Sequence, residues 1–268
     1  MRSYVIGIDE VGRAASKRRA SRLACRESKR APRSFVIGID EVGRAASKRR
    51  ASPRYIIGID EVGRGSLAGP VTVAAVALPR GLRVRHPLLG GIRDSKRLTP
   101  RQREAWYGHL MGRLIVPFAV THGPTATVDR VNVSQAANRA ALRAFQAVAA
   151  RLPHDTSPRR VYLDGGLYLG TRGGAAPRHV VARTVVCGDE RFTVVAAASI
   201  VAKVRRDRLM RRLAGRHPGY GFEVHKGYGT PQHLRALRRF GPSPSHRLTF
   251  LGFLKDFKRL RRNLSRKH

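Results

Sequence analysis

From Tyr55 onward, apolar and polar positions fall into short, well-punctuated blocks. YIIGID (55–60) and VTVAAVAL (71–78) are rich in β-branched residues and are separated by glycine-marked turn signals, so they predict two strands. Thr99-Pro100 predicts a helix start, with Thr99 as N-cap and Pro100 in the first turn, running to about Leu114. IVPFAVT (115–121) predicts a third strand. Across 127–152, Val128, Val131, Ala137, Ala141, Leu142, Phe145 and Val148 recur at helical spacing and predict one long helix. VYLDG predicts a strand ending at Asp164, and HVVARTVVC another, ending at Gly188-Asp189. Residues 195–214 predict a helix that is first small and apolar (AAASIVA), then strongly basic (KVRRDRLMRR). A Gly- and His-rich loop follows at 219–229, with further helices expected at 231–240 and 249–263. Two strands followed by strand–helix alternation argue for an α/β domain with a mixed sheet flanked by helices.

Residues 1–53 have a different texture. They repeat the opening phrase of the domain, VIGIDEVGR, at 5–13 and at 36–44, while IGIDEVGR stands at 57–64. Only the third copy runs on into a second apolar strand; the first two run into AASKRRAS, which is basic, small and unable to build a core. A strand without a partner leaves its backbone groups unpaired. The expectation is therefore a basic, mostly disordered leader over 1–53, carrying two partial duplications, and a catalytic domain over 54–268. Asp9/Glu10 and Asp40/Glu41 lack a fold to hold them; Asp60 and Glu61 have one.

Charge narrows the partners. The chain of 268 residues has a formal net charge of +37. Residues 1–53 hold 14 Lys and Arg against 5 Asp and Glu, and residues 54–268 hold 40 against 12, so the domain is basic in its own right. Such a field attracts polyanions, nucleic acid above all. The two cysteines, Cys25 and Cys187, show no spacing for a disulfide framework or a zinc site. No apolar run approaches the roughly 18 residues of a membrane span, and the N-terminus lacks an apolar signal core. A cytoplasmic monomer with no membrane partner is the expectation.

Acidic residues are scarce, and four of them stand where strands end: Asp60, Glu61, Asp164 and Asp189. Strand ends of open α/β sheets are where sites gather. Clustered carboxylates resist joint ionisation without a counter-charge. Carboxylate-only ligation suits hard cations such as Mg²⁺ or Mn²⁺, and two such ions can clamp the attacking and leaving oxygens of a phosphodiester. Adjacent strand residues face opposite ways. Asp60 and Glu61 can therefore share an ion only if the strand is ending there, a bend that Gly63 and Gly65 would permit. Strand-end acids are also common as plain turn and capping residues.

The blocks IGIDEVGRGSLAGPV, DSKRL (94–98), VYLDG (161–165), GDE (188–190), AAASIVAKVRRDRLM (196–210), HKGYGT (225–230) and HRLTF (246–250), in this order, closely resemble ribonuclease HII, the type 2 ribonuclease H family. The resemblance covers about residues 55–255. It implies a ribonuclease H-like mixed sheet flanked by helices, with a C-terminal helical extension from about residue 215. It implies an endonuclease that hydrolyses the RNA strand of RNA–DNA hybrids and cuts at ribonucleotides embedded in duplex DNA, using Mn²⁺ or Mg²⁺. Matched motif by motif, the catalytic and metal-holding carboxylates are Asp60, Glu61, Asp164 and Asp189. Gly63-Arg64-Gly65 is implied to read the ribose 2′-hydroxyl, the group that tells RNA from DNA. Tyr228 is implied to stack on the neighbouring sugar. Sister type 3 enzymes carry GTG where this chain has GRG, so type 2 matches better. The leader copies read GRA, with Ala14 and Ala45 in place of Gly65. Glu190 stands where the family usually has serine.

Other residues leave alternatives open. Asp94, Ser95 and Lys96 either touch the phosphate backbone or form a surface turn. Lys203 either points toward the site or lies along the surface, and His225 and Lys226 either approach a phosphate or sit in a solvated loop. Asp207, among arginines mid-helix, is expected to form an intrahelical ion pair. The tail KDFKRLRRNLSRKH is either a substrate-gripping helix or a solvated face. The rival function is a non-catalytic, basic nucleic-acid-binding relative whose fold or site the N-terminal duplications have spoiled. A third alternative is a leader copy that displaces the first strand, giving an autoinhibited or domain-swapped state.

Overall fold

The first two strands form as the pattern predicts, and they set everything that follows. β1 (Tyr55–Val62) and β2 (Val71–Pro79) pair antiparallel along their whole length, from Tyr55 opposite Pro79 to Val62 opposite Thr72. β5 (Phe118–Gly123) adds to the far edge of β2, also antiparallel. β6 (Arg160–Asp164) joins β1 in parallel, and β7 (Val181–Val185) joins β6 in parallel. The order is β5-β2-β1-β6-β7, a mixed sheet. A two-residue ribbon, β3 (Arg85–His86) with β4 (Gly90–Gly91), stands apart from it. The computed structural model describes residues 54–92, 97–153, 160–169 and 180–253, all within the unit Ser52–His268. The leader, Asp94, Ser95, Lys96 and the basic tail lie outside the described residues.

Because strand side chains alternate, the sheet offers two apolar faces. On one, Ile57, Ile59, Val73, Ala75 and Ala77 pack with Ala137, Ala141, Ala144 and Phe145 of the long helix α2 (Thr125–Ala149). On the other, Ala74, Val76 and Leu78 pack with Trp106 of α1 (Pro100–Gly108) and with the small residues at the start of α4 (Thr193–Arg216), which follows the short helix α3 (Gly188–Arg191). Small residues are needed there because the helix touches bare backbone. A Cβ placed on Gly58 would lie 2.4 Å from the carbonyl carbon of Val194.

A third cluster joins Ala68, Met210, Tyr220, Phe222, Leu237 and Leu251. It docks the C-terminal helices, α5 (Phe222–His225) and α6 (Pro231–Phe240), against the loop that follows β1.

Three expectations need correction. The helix capped by Thr99 has the full reciprocal cap with Gln102, but after Gly108 it widens into a π-helical turn, His109–Arg113. The long helix breaks at Asn132, whose φ is 66°; its side-chain oxygen recaps the helix by accepting from the Gln135 N–H at 3.0 Å. The segment at Thr249 opens as a single 3-10 turn, Leu248–Phe250, and whatever follows Phe253 lies outside the described residues.

Candidate active site

Asp60 and Asp164 are neighbours because β1 and β6 run parallel with Ile59 opposite Leu163. One position further along, both chains present a carboxylate at the same end of the sheet. Asp60 lies on the face covered by α4 and is buried at 5% exposure. It accepts a hydrogen bond from Ser199 of that helix, and Ser199 in turn accepts from Lys203 Nζ at 2.5 Å. Lys203 therefore points toward the site. The Asp60 carboxyl is nonetheless pushed well above the ordinary carboxylate range, first by burial and then by the charges of Asp164 and Glu61.

Glu61 points the other way. β1 does not end at it: Glu61 pairs with Val73 and the ladder continues to Val62. The strand end that would let Asp60 and Glu61 share an ion therefore comes one residue later, at Val62. Instead Arg64 donates to Glu61 Oε1 at 3.0 Å and to Ser134 Oγ of α2 at 2.7 Å. Glu61 Oε2 is buried with no hydrogen-bond partner among the described residues. Its pKa rises to about 7, with burial outweighing the opposing Arg64 and with Asp164 adding to the rise. Asp164 Oδ1 accepts from the Gly188 N–H at 2.7 Å, which brings the next residue, Asp189, close to it; the strand expected to end at Gly188-Asp189 stops instead at Val185, and Asp189 sits in the short helix Gly188–Arg191. Asp189 is 1% exposed. Glu190 is exposed.

Asp60, Glu61 and Asp164 thus feel one another's charge, and Asp189 adjoins them through Gly188. As the side chains stand, no group of three or more His, Cys, Asp or Glu among the described residues is arranged to hold one metal ion. The donors still fit a hard cation in kind. They are all carboxylates, Glu61 Oε2 is orphaned among the described residues, and burial first, then mutual repulsion, raises the pKa of Asp60 and Glu61, a penalty that a cation's charge would relieve.

The loop after β1 forms the other side of the site. Gly63 is buried with φ +83°, a conformation that favours glycine, and Gly65 is exposed. The segment 225–230 lies against this loop: the Leu67 and Ala68 N–H groups both donate to the Gly227 carbonyl. Tyr228 is half-buried, and His233 Nδ1 lies 3.0 Å from its carbonyl oxygen. Lys226 Nζ donates to the Glu223 carbonyl, and the Lys226 side chain also lines a cleft with Arg101, Arg103 and Arg211. His225 is buried and stacks on His233 at 4.3 Å between centroids, so it belongs to the core under the loop. Asp207 pairs with Arg103 across to α1, at 3.5 Å, rather than within its own helix.

The pattern reading missed several residues that shape this site: Ser199, Ser134, Arg206, Arg247, His233 and His246. Arg206 and Arg247 are 1% and 0% exposed. Nothing in an Arg-rich sequence distinguishes them from their exposed neighbours.

Comparison with known proteins agrees with this architecture. The ribonuclease HII family model matches residues 57–252. Ribonuclease HII of Pelobacter propionicus is 43% identical over 188 residues, covering 70% of this chain and 77% of the relative. Ribonuclease H2 from Pyrococcus horikoshii OT3 aligns in structure with a TM-score of 0.54 at 20% identity, covering 80% of this chain and all of the other. Bst-RNase HIII, solved in complex with Mn²⁺, gives a TM-score of 0.54 at 20% identity over 81% of this chain and 72% of its own. The last two similarities establish the fold. By the family match and the relative's identity, this chain belongs to the ribonuclease HII family and is a ribonuclease H endonuclease acting on RNA–DNA hybrids.

Proposed function

We propose that hydrolysis takes place at Asp60, Glu61, Asp164 and Asp189, with Mn²⁺ or Mg²⁺ held by those carboxylates, and that the chain cuts at single ribonucleotides in duplex DNA as well as in longer hybrids. The observation that carries this is the cluster itself: four carboxylates at one end of the sheet, with Asp60 and Asp189 buried, Asp60 and Glu61 clearly raised in pKa, and one Glu61 oxygen unpartnered among the described residues, in an otherwise basic domain. A bound divalent ion would supply counter-charge for the transferring phosphate and a more acidic attacking water.

The remaining roles belong to the chain. Lys203 and Ser199 fix the Asp60 carboxylate from the α4 side. Arg64, braced on Ser134, fixes Glu61 from the α2 side. The backbone of Gly63, Arg64 and Gly65 is the surface offered to the ribose, where the 2′-hydroxyl can be recognised. Tyr228 supplies an aromatic face for the adjoining sugar, and Lys96 and Lys226 supply positive charge for the phosphates. Water adds to phosphorus, the bond from phosphorus to the 3′-oxygen breaks, and the products are a 3′-hydroxyl and a 5′-phosphate. Such a substrate also suits the basic surface.

The test is cleavage of a labelled RNA–DNA hybrid in Mn²⁺ or Mg²⁺ by the wild type and by Asp164→Asn. We expect the variant to lose on the order of a thousand-fold or more in rate while hybrid binding stays within a few-fold. Binding without turnover in the wild type would favour a non-catalytic nucleic-acid-binding protein instead.

A further inference from the structure

Two arginines lie completely inside the protein beneath the loop 63–70, and neither forms an ion pair among the described residues. Arg247 donates from Nε to the Gly69 carbonyl at 3.0 Å, from Nη1 to the Arg64 carbonyl at 2.7 Å and from Nη2 to the Gly63 carbonyl at 2.6 Å. Arg206 donates to the carbonyls of Pro70, Ala68 (3.1 Å) and Lys226 (3.3 Å) and to Ser66 Oγ (2.8 Å). Five of the eight carbonyls of the loop, those of Gly63, Arg64, Ala68, Gly69 and Pro70, are thereby held from below. Burial lowers the pKa of Arg247 to about 9 and that of Arg206 to about 10, so both remain cations at neutral pH.

The grip fixes a direction. In a trans peptide the C=O and the following N–H point opposite ways. With the Gly63 and Arg64 carbonyls both turned down onto one guanidinium, the N–H groups of Arg64 and Gly65 turn away from it. At Gly65, an exposed residue, that means outward. The fit is close. A Cβ on Gly63 would lie 2.2 Å from Arg206 Cζ, and one on Gly69 would lie 2.6 Å from Met210 Sδ. Arg247 itself is anchored: its N–H donates to the Leu67 carbonyl, and the next two residues cap onto Asp129 of α2, with Leu248 and Thr249 N–H groups at 3.0 and 2.9 Å from its carboxylate.

We infer that Arg206 and Arg247 are positioning residues for ribonucleotide discrimination: they hold the carbonyls of the 63–70 loop inward so that the Arg64 and Gly65 amides face the ribose. This rests on the proposal that Gly63-Arg64-Gly65 reads the 2′-hydroxyl. Lysine keeps the charge, but its three donors converge on one nitrogen and cannot reproduce the spread with which three separate nitrogens of Arg247 meet three carbonyls.

The test is binding, by fluorescence anisotropy in EDTA, of a DNA duplex with one central ribonucleotide and of the same duplex in all-DNA form. It compares the wild type with Arg247→Lys and Arg206→Lys, with circular dichroism confirming the fold. The wild type is expected to prefer the ribonucleotide duplex; no preference would sink the 2′-hydroxyl reading itself and this inference with it. In the folded variants the preference should fall by about tenfold, roughly the worth of one hydrogen bond, while all-DNA affinity stays within about twofold. A folded variant that keeps the preference, or one that loses both affinities together, overturns the positioning role. Should neither variant fold, the wild type decides by nuclear magnetic resonance. Arg64 and Gly65 amide signals that move with the ribonucleotide duplex and not with the all-DNA duplex support it; signals that respond equally to both overturn it.

Discussion

Gly58→Ala tests how tightly the fold dictates the site. Gly58 stands two residues before Asp60 in β1, on the face covered by α4. A Cβ there would meet the Val194 carbonyl carbon and oxygen at 2.4 Å and the Val195 nitrogen at 2.6 Å. All three are backbone atoms, so no rotamer change relieves the clash. Ordinary contact begins near 3.4 Å, so the start of α4 must retreat by about 1 Å. Overpacking of this kind costs about 1–3 kcal/mol, and rigid neighbours place it at the upper end. For a domain of this size each kcal/mol lowers Tm by roughly 2–4 °C, which gives a fall of roughly 6–12 °C. The same retreat moves Ser199 and Lys203, both on α4, away from the Asp60 carboxylate. Misplacement by an ångström can remove about a hundred-fold in rate. Thermal melts followed by circular dichroism, and kcat on a hybrid well below the variant's Tm, measure both effects. A Tm within about 2 °C of wild type would refute the packing argument, and an unchanged kcat in a destabilised variant would refute the link from α4 to Asp60.

Glu61→Gln and Asp189→Asn should abolish cleavage as Asp164→Asn does, whereas Asp9→Asn and Glu41→Gln should leave it untouched; rate measurements on one hybrid check all four. His246 and His233 share a hydrogen bond between their Nε2 atoms at 3.0 Å, and burial lowers their pKa values to about 3 and about 4. Being depressed, these values mean that the neutral pair contributes stability fully above the unfolded value near 6.5, and that this is lost as pH falls toward 4. A nuclear magnetic resonance titration should find both rings neutral at pH 5; a midpoint near 6.5 for either would contradict their burial. Deleting residues 1–53 removes a net +9 (14 basic against 5 acidic residues), so all-DNA duplex affinity should fall and its salt dependence flatten. Binding isotherms across a salt series check this, and an unchanged slope would mean that the leader does not touch nucleic acid.

Much of the fold was legible because its signals are local. The Thr99-Pro100 cap, the β-branched runs and the helical spacing across 127–152 each need only a short window. Asp60, Asp164 and Asp189 stood out because acids are rare in this chain, and Asp164 does end its strand; Asp189 instead lies in a short helix beyond β7. What the sequence hid depends on tertiary packing. Asp207 looks like an intrahelical partner for nearby arginines, yet α1 packs alongside α4 and brings Arg103 to it. Glu61 could share an ion with Asp60 only if β1 ended there; the ladder with β2 runs one residue further, and Arg64 pairs with Glu61. Asn132 breaks a helix whose apolar spacing runs on regardless, because its side chain recaps the next turn. Arg206 and Arg247 are two among 54 Lys and Arg; only the loop folded over them reveals that they are buried.

Under the proposed mechanism the third copy of the repeated phrase, and neither leader copy, supplies the first two catalytic carboxylates, Asp60 and Glu61. Its most direct test is cleavage of a labelled duplex holding one embedded ribonucleotide, by wild type, Asp60→Asn and Asp40→Asn, with Mn²⁺ or with EDTA. The expected result is a single cut, leaving a 3′-hydroxyl and a 5′-phosphate, by the wild type and Asp40→Asn in Mn²⁺ only. Cleavage that survives EDTA, that persists in Asp60→Asn, or that disappears in Asp40→Asn would contradict it.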